Sequence, residues 1–232
     1  MARLPRLVLA EYPMHLMVSG HNRQQIFFDD LDRRSYLEFL RDAAREYELL
    51  IHAYVLMPNH VHVLATPKHV SSPSKTMQSV GRRYAQLFNQ KYQRTGTIWE
   101  GRYRSCILEA QPHFLEVQQF IEQNPVRTHL VQNLEDYSWS SYRHHVGAET
   151  IPWISDHPLY WSLGNTPFER QLAWKKLSHD YLPIIKSKKV SDHLMYGWPL
   201  GAEGFLNGIA SKVARPVRQR SPGRKPNKIP QI

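Results

Sequence analysis

One cysteine, Cys106, in 232 residues excludes an intramolecular disulfide framework and a cysteine-based zinc site. No apolar run approaches the ~18 residues that span a bilayer. The N-terminal MARLPRLVLAEYPMH is too short on apolar residues for a signal peptide. Acidic residues run out toward the end: none follows Glu203, whereas Lys212, Arg215, Arg218, Arg220, Arg224, Lys225 and Lys228 do. The chain therefore reads as a soluble, cytoplasmic protein without a membrane partner. What it has in excess is positive charge, 30 Lys and Arg against 20 Asp and Glu, for a net +10 with histidine neutral. That balance favours a polyanion partner. Hydrophobic residues make up 41%, enough for a cored domain with an extension and marginal for two full domains.

The hydrophobic pattern sets the organisation. Tyr12 to Ser19 reads as a strand, and Asp29 to Tyr47 as a helix, with Leu31, Tyr36, Leu37, Leu40 and Ala44 at helical spacing. Leu50 to Met57 and Val61 to Thr66 read as two strands of a hairpin, broken by Pro58 and Asn59, since proline cannot donate to a ladder and asparagine suits a tight turn. Lys75 to Gln93 reads as a second helix and Ser105 to Glu109 as a short fourth strand. Pro112 opens a third helix that runs to about Gln123, before Pro125. The order βαββαβ followed by a helix predicts an α+β, ferredoxin-like antiparallel sheet with helices on one face. Residues 1–147 form the expected catalytic domain. Residues 148–232 form a C-terminal extension of less regular pattern. It carries Trp153, Trp161, Trp174 and Trp198, and ends in a flexible tail rich in proline and basic residues.

Within the hairpin, MPNHVHVLATP places His60 and His62 one residue apart. With 13 histidines in the chain, one such pair is close to what chance supplies, so context must decide. A strand has a side-chain period of two, so both imidazoles point to one face while Val61 and Val63 point to the other. Two neutral imidazoles so placed can hold a divalent cation. Two hydrogen-bonded histidines on a sheet surface fit equally well. A metal site would need further oxygen ligands, and Mg²⁺ or Mn²⁺ suits such a set, with zinc not excluded.

HAYVLMPNHVHVLATP resembles the metal-binding strand of the HUH single-tyrosine transposases. TGTIWEGRYRS, FIEQNPVRTHLV and DYSWSSYR resemble the REP-associated tyrosine transposases of that superfamily, and the likeness runs from about Arg6 to Gly147. The resemblance implies the HUH nuclease fold, a DNA-associated bacterial protein, and cleavage and strand transfer on single-stranded or hairpin DNA through a 5′-phosphotyrosine. It implies His60, His62 and Asn124 as ligands of the divalent metal, Mg²⁺ or Mn²⁺. It places the nucleophilic tyrosine four residues before Asn124, and there this chain has Phe120. The family pattern is YIExNPV, and the chain reads FIEQNPV. The ring is kept and the oxygen is absent. Either the chain is cleavage-deficient, a domesticated or engineered hairpin-binding relative, or another tyrosine such as Tyr103, Tyr137 or Tyr142 substitutes. An unrelated metal hydrolase is the poorer alternative, since no His-Glu-x-x-His signature is present.

For DNA contacts, the second helix offers Arg82, Arg83 and Lys91, and the following loop Trp99, Arg102 and Arg104. Cations that track phosphates and rings that stack on bases suit a single strand. Arg127 and Arg143 flank the expected site. In the tail, Arg220, Arg224 and Lys225 lie in RSPGRKP, which resembles a minor-groove hook with an inserted lysine. The partner is expected to be DNA, bound by a monomer or a homodimer.

Overall fold

The computed structural model describes residues 5–218. The elements run β1 (Met14–Ser19), α1 (Asp30–Glu46), β2 (Leu49–Met57), β3 (His60–Pro67), α2 (Ser72–Lys91), β4 (Arg104–Ile107) and α3 (Ala110–Glu122). The four strands form one antiparallel sheet in the order β2-β3-β1-β4. This is the ferredoxin-like arrangement expected from the pattern.

Local chemistry sets the ends of these elements. The Asp29 carboxylate accepts from the Asp32 amide at 3.0 Å, and the Asp32 side chain accepts back from the Asp29 amide, which starts α1 with a capping box. Asp32 is fully buried. It also takes hydrogen bonds from Lys91 Nζ at 2.7 Å and Tyr92 Oη at 2.7 Å, which ties the end of α2 to the start of α1. β2 and β3 close through Pro58 and Asn59, with Met57 paired to His60. Gly20 ends β1 where a Cβ would lie 2.3 Å from the Gln24 carbonyl oxygen, so only glycine fits. In α3, Gln111 is extended, so the helix proper starts at Pro112.

The two faces of the sheet bury different sets. Leu16, Val18, Val61, Val63 and Ala65 pack with Tyr36, Leu40, Val80, Tyr84 and Phe88 of α1 and α2. These are the helices the pattern placed on one face. The other face is covered too. Ala53, Val55, Met57, Leu64 and Cys106 pack there against Phe114, Val117, Phe120 and Ile121 of α3, together with Val190, Leu194 and Leu200 from the extension.

After α3 come α4 (Asn124–Arg127), α5 (Tyr142–His145), α6 (Pro158–Trp161), α7 (Pro167–His179), α8 (Ile184–Tyr196) and α9 (Glu203–Ala210). The described part of the region expected to be less regular thus carries four helices, α6 to α9. Thr166 and Glu169 form a capping box at α7, with Pro167 in its first turn. The later residues also close the sheet edges. The Leu56 amide donates to the Trp139 carbonyl at 2.8 Å beside β2, and the Leu200 amide to the Ile107 carbonyl at 2.8 Å beside β4. Exposed strand edges invite pairing with other chains, and here both are occupied.

Candidate active site

Sheet register decides which side chains meet. Met17 lies opposite His62, and His15 opposite Leu64. Directly opposed residues point to the same face, as do residues two apart. His60, His62, Leu64, His15 and Met17 therefore share the face that α3 covers. The His60 and His62 rings lie 5.0 Å apart, centroid to centroid. Behind His62 sits His15, with 2.8 Å between His15 Nε2 and His62 Nδ1. Sequence reasoning named the first two and missed the third.

Burial holds all three imidazoles neutral. His15 is pushed down to about 3 and His60 to about 4, each chiefly by burial and then by the Arg127 charge. His62 is held well below the ordinary value by burial, then by the neighbouring imidazoles and Arg127. Neutral imidazoles keep a lone pair for a cation at physiological pH. Asn59 Oδ1 lies 2.6 Å from His60 Nδ1, so that nitrogen donates and His60 Nε2 is the open acceptor. His62 Nδ1 faces His15, which leaves His62 Nε2 as its candidate ligand atom. The donor set fits a divalent metal.

Asn124 and Phe120 arrive from α3 and α4. Phe120 is buried, and its ring lies 5.9 Å from His62 and 5.8 Å from His15. The Arg127 guanidinium lies over that ring, 3.9 Å from its centroid, and Arg127 donates to the Phe120 carbonyl at 3.1 Å. Burial lowers the Arg127 pKa to about 10, so it remains a cation at neutral pH. His62, Phe120, Asn124 and Arg127 line one cavity of about 710 Å³. His60 lines an adjoining cavity of about 570 Å³ with Arg23 and Arg104. Met17, Thr128 and Met195 border both.

The other residues singled out from sequence distribute differently. Arg82, Trp99 and Arg102 line a separate cavity of about 490 Å³ with Val18, on the α2 side of the sheet. The Trp99 indole N–H donates to the Gly81 carbonyl at 2.9 Å. Lys91 pairs with Asp29 and Asp32, and Arg83 with Asp42 at 3.6 Å. Arg143 faces Glu149 at 3.6 Å, and Arg104 donates to the Met195 carbonyl at 2.9 Å. Arg220, Arg224 and Lys225 lie outside the described residues. Of the substitute tyrosines, Tyr103 belongs to the cavity on the α2 side, Tyr137 donates to the Leu56 carbonyl at 2.5 Å, and Tyr142 to Glu135 at 3.2 Å. Among the described residues lining the cavity with Phe120, Tyr181 is the one tyrosine.

The family model for IS200-like transposases matches residues 9–124, half of the chain. The chain belongs to the IS200-like transposase family. The matched span runs from the approach to β1 through Asn124, so it holds the sheet, the histidine pair and the helix that carries Phe120. A solved REP-associated tyrosine transposase, bound to a REP hairpin, is similar in fold with a TM-score of 0.52. It shares 18% identity over 68% of this chain and 92% of that one. A candidate transposase from Deinococcus radiodurans R1 shares 26% identity over 53% of this chain and 97% of that one, with a TM-score of 0.37. No curated protein matches. No helix among the described residues is long and apolar enough to cross a membrane.

Another histidine cluster lies outside the family span. Ligand atoms of His144, His145 and Asp156 come within 4.8 Å of one another. His144 Nδ1 accepts from the Ile151 amide at 3.1 Å, so a neutral His144 carries its proton on Nε2, the atom that faces Asp156 at 3.5 Å. His145 Nδ1 lies 2.7 Å from the buried Glu122 carboxylate. His145 Nε2 faces the same oxygen, Asp156 Oδ1, at 3.6 Å; that oxygen is buried without a hydrogen-bond partner among the described residues, and the three groups are a candidate set of metal ligands.

Proposed function

We propose that the chain is a transposase-type DNA-hairpin protein. Its site is arranged for metal-assisted cleavage of single-stranded or hairpin DNA and, with Phe120, it stops at binding. The observation that carries this reading is one cavity bordered by a neutral imidazole, an amide, a cation and a phenyl ring where the family pattern has a phenol. His60, His62 and Asn124 would hold the divalent ion. When bound, Mg²⁺ or Mn²⁺ supplies charge neutralisation and orientation for a phosphate.

The chain's own groups account for the rest. Arg127 brings a positive charge, without a carboxylate partner among the described residues, to the wall of the cavity. It is placed to hold a phosphate beside the ring it covers. A tyrosine at position 120 would attack phosphorus with its phenolic oxygen. The 3′-oxygen would leave with a proton and a 5′-phosphotyrosine would form, splitting one hard displacement into two. Phenylalanine has no oxygen to donate, so the bound strand stays intact.

The test compares the chain as it is with Phe120→Tyr, on hairpins from the flanks of its own gene, with Mn²⁺. Phe120→Tyr should yield a covalent protein–DNA adduct that survives denaturing electrophoresis, and the unsubstituted chain none. Adding His62→Ala to Phe120→Tyr should remove the adduct. Binding by both forms with no adduct from either would leave the DNA-binding reading alone. An adduct from the unsubstituted chain would direct attention to Tyr181.

A further inference from the structure

The cavity at Phe120 has two walls of different origin. His62, Phe120, Asn124 and Arg127 form or adjoin the family core. Tyr181, Leu182, Ile184, Ser187, Lys188 and Met195 form the opposite wall, and they lie beyond residues 9–124 that the family model matches. The extension thus lines the cavity at the candidate nucleophile position together with the family core.

That second wall is fixed to the first. Gln119 Nε2 on α3 donates to the Leu177 carbonyl at 2.8 Å, and Gln123 Nε2 to the Ser178 carbonyl at 2.8 Å. The Leu182 amide donates to Gln123 Oε1 at 3.1 Å. Val190 and Leu194 of α8 pack into the same core as Phe120. The linker before α8 is therefore held by the helix that bears Phe120.

The exposed side of this wall has the character of a strand-binding surface. Tyr181 is 62% exposed and Ile184 87%, so a large flat group and an apolar one, both lining the cavity, stand in water. No carboxylate lines the cavity among the described residues, while Arg127 and Lys188 do. Lys188 pairs with Asp192 on the next turn of α8 at 2.5 Å, exposed on both sides. Such exposed pairs contribute little and yield readily to a phosphate. Cations alternating with apolar faces match a single strand, whose phosphates and bases alternate.

We propose that α8 and the Tyr181–Leu182 linker form the outer wall of a channel for the unpaired DNA flank of a hairpin. A base stacks on Tyr181, Ile184 lies against its neighbour, and the intervening phosphates lie between Arg127 and Lys188. This rests on the DNA-hairpin reading above and adds that the extension recognises the single-stranded part.

The test is fluorescence anisotropy with a labelled hairpin from the gene's flanks, prepared blunt and with an unpaired 5′ or 3′ flank. Wild type should bind one flanked form about tenfold more tightly than the blunt one, within the range for one stacked base. Tyr181→Ala combined with Lys188→Ala should abolish that preference and leave blunt-hairpin affinity unchanged, and Ile184→Ser should reduce it. These side chains are exposed, and a circular dichroism melt checks that the fold is kept. Equal wild-type affinity for blunt and flanked hairpins would overturn the proposal and leave the hairpin reading standing, as would a preference that survives the double substitution. No binding to any of the probes would overturn both.

Discussion

A single proton between His15 and His62 decides whether His62 can take a metal. Their facing nitrogens, His15 Nε2 and His62 Nδ1, are 2.8 Å apart and share one hydrogen. If it sits on His62, then His62 Nε2 keeps its lone pair, and the proton of neutral His15 lies on Nδ1, which is buried without a hydrogen-bond partner among the described residues. If it sits on His15, the His62 proton moves to Nε2 and blocks the ligand position. A cation therefore selects the first arrangement, and His15 acts by holding the His62 ring and its tautomer. His15→Ala should weaken Mn²⁺ binding by about 10–100-fold, measured by calorimetric titration, with the thermal melt showing that the fold persists. An unchanged affinity would reduce His15 to a space-filling role. Nothing in the sequence flags His15, because 47 positions separate it from its partner and only the antiparallel register joins them. His60 and His62 were legible as a same-face pair. Asn124 and the meaning of Phe120 came only through resemblance, since a phenylalanine on an amphipathic helix reads as ordinary core.

At the scale of elements, α3 faces two ways. Phe120 looks into the cavity, while Gln119, Glu122 and Gln123 hold the extension. Glu122 is fully buried and accepts from Ser141 Oγ at 2.5 Å, His145 Nδ1 at 2.7 Å and the Trp174 indole at 2.9 Å. Removing the carboxylate leaves those buried donors without their acceptor, and such losses cost far more than the hydrogen bonds contribute. Glu122→Ala should lower stability by about 3–5 kcal/mol, read as a shift in the urea midpoint. A change under about 1 kcal/mol would mean that α7 docks by apolar packing around Trp174 alone. The strands and first helices were legible because alternation, Asp29 and Pro58 all point the same way. The extension was not. α7 exposes Phe168 and Leu172 and buries Trp174, so its apolar residues mark no single face and helical periodicity gives little signal. The Thr166–Glu169 capping box was readable in TPFE and marks a helix start there that sequence alone could have placed.

Across the whole molecule, buried neutral histidines and a surplus of cations set how the protein answers pH and salt. His15 is held near 3, and His52 and His60 near 4, against an ordinary value of 6.5. In each, burial is the leading cause. The unfolded chain takes up protons as pH falls through about 6.5, and the folded chain does not until about 4 or below. Stability is therefore full above about pH 6.5 and declines as pH drops toward 4, which urea midpoints at pH 7 and pH 5 on metal-free protein would check. Salt acts through the net +10 charge. Each phosphate contact releases a counterion, so the slope of log affinity against log salt is about −0.9 per contact on duplex and about −0.7 on single strands. The tail holds Arg220, Arg224, Lys225 and Lys228. A truncation meant to remove only those charges must begin after Arg218. Val217 packs with Leu7, Ile107 and Ile209, Arg215 donates to the Pro5 carbonyl at 2.6 Å, and Arg218 pairs with Glu203 at 2.5 Å, so cutting at Ser211 would also damage the fold. Removing residues 219–232 should weaken hairpin binding at low salt, flatten the salt slope, and bring the two proteins together as salt rises. Parallel slopes for full-length and truncated protein would show that the tail touches no phosphate and that the cations around the two site cavities carry the electrostatic attraction alone.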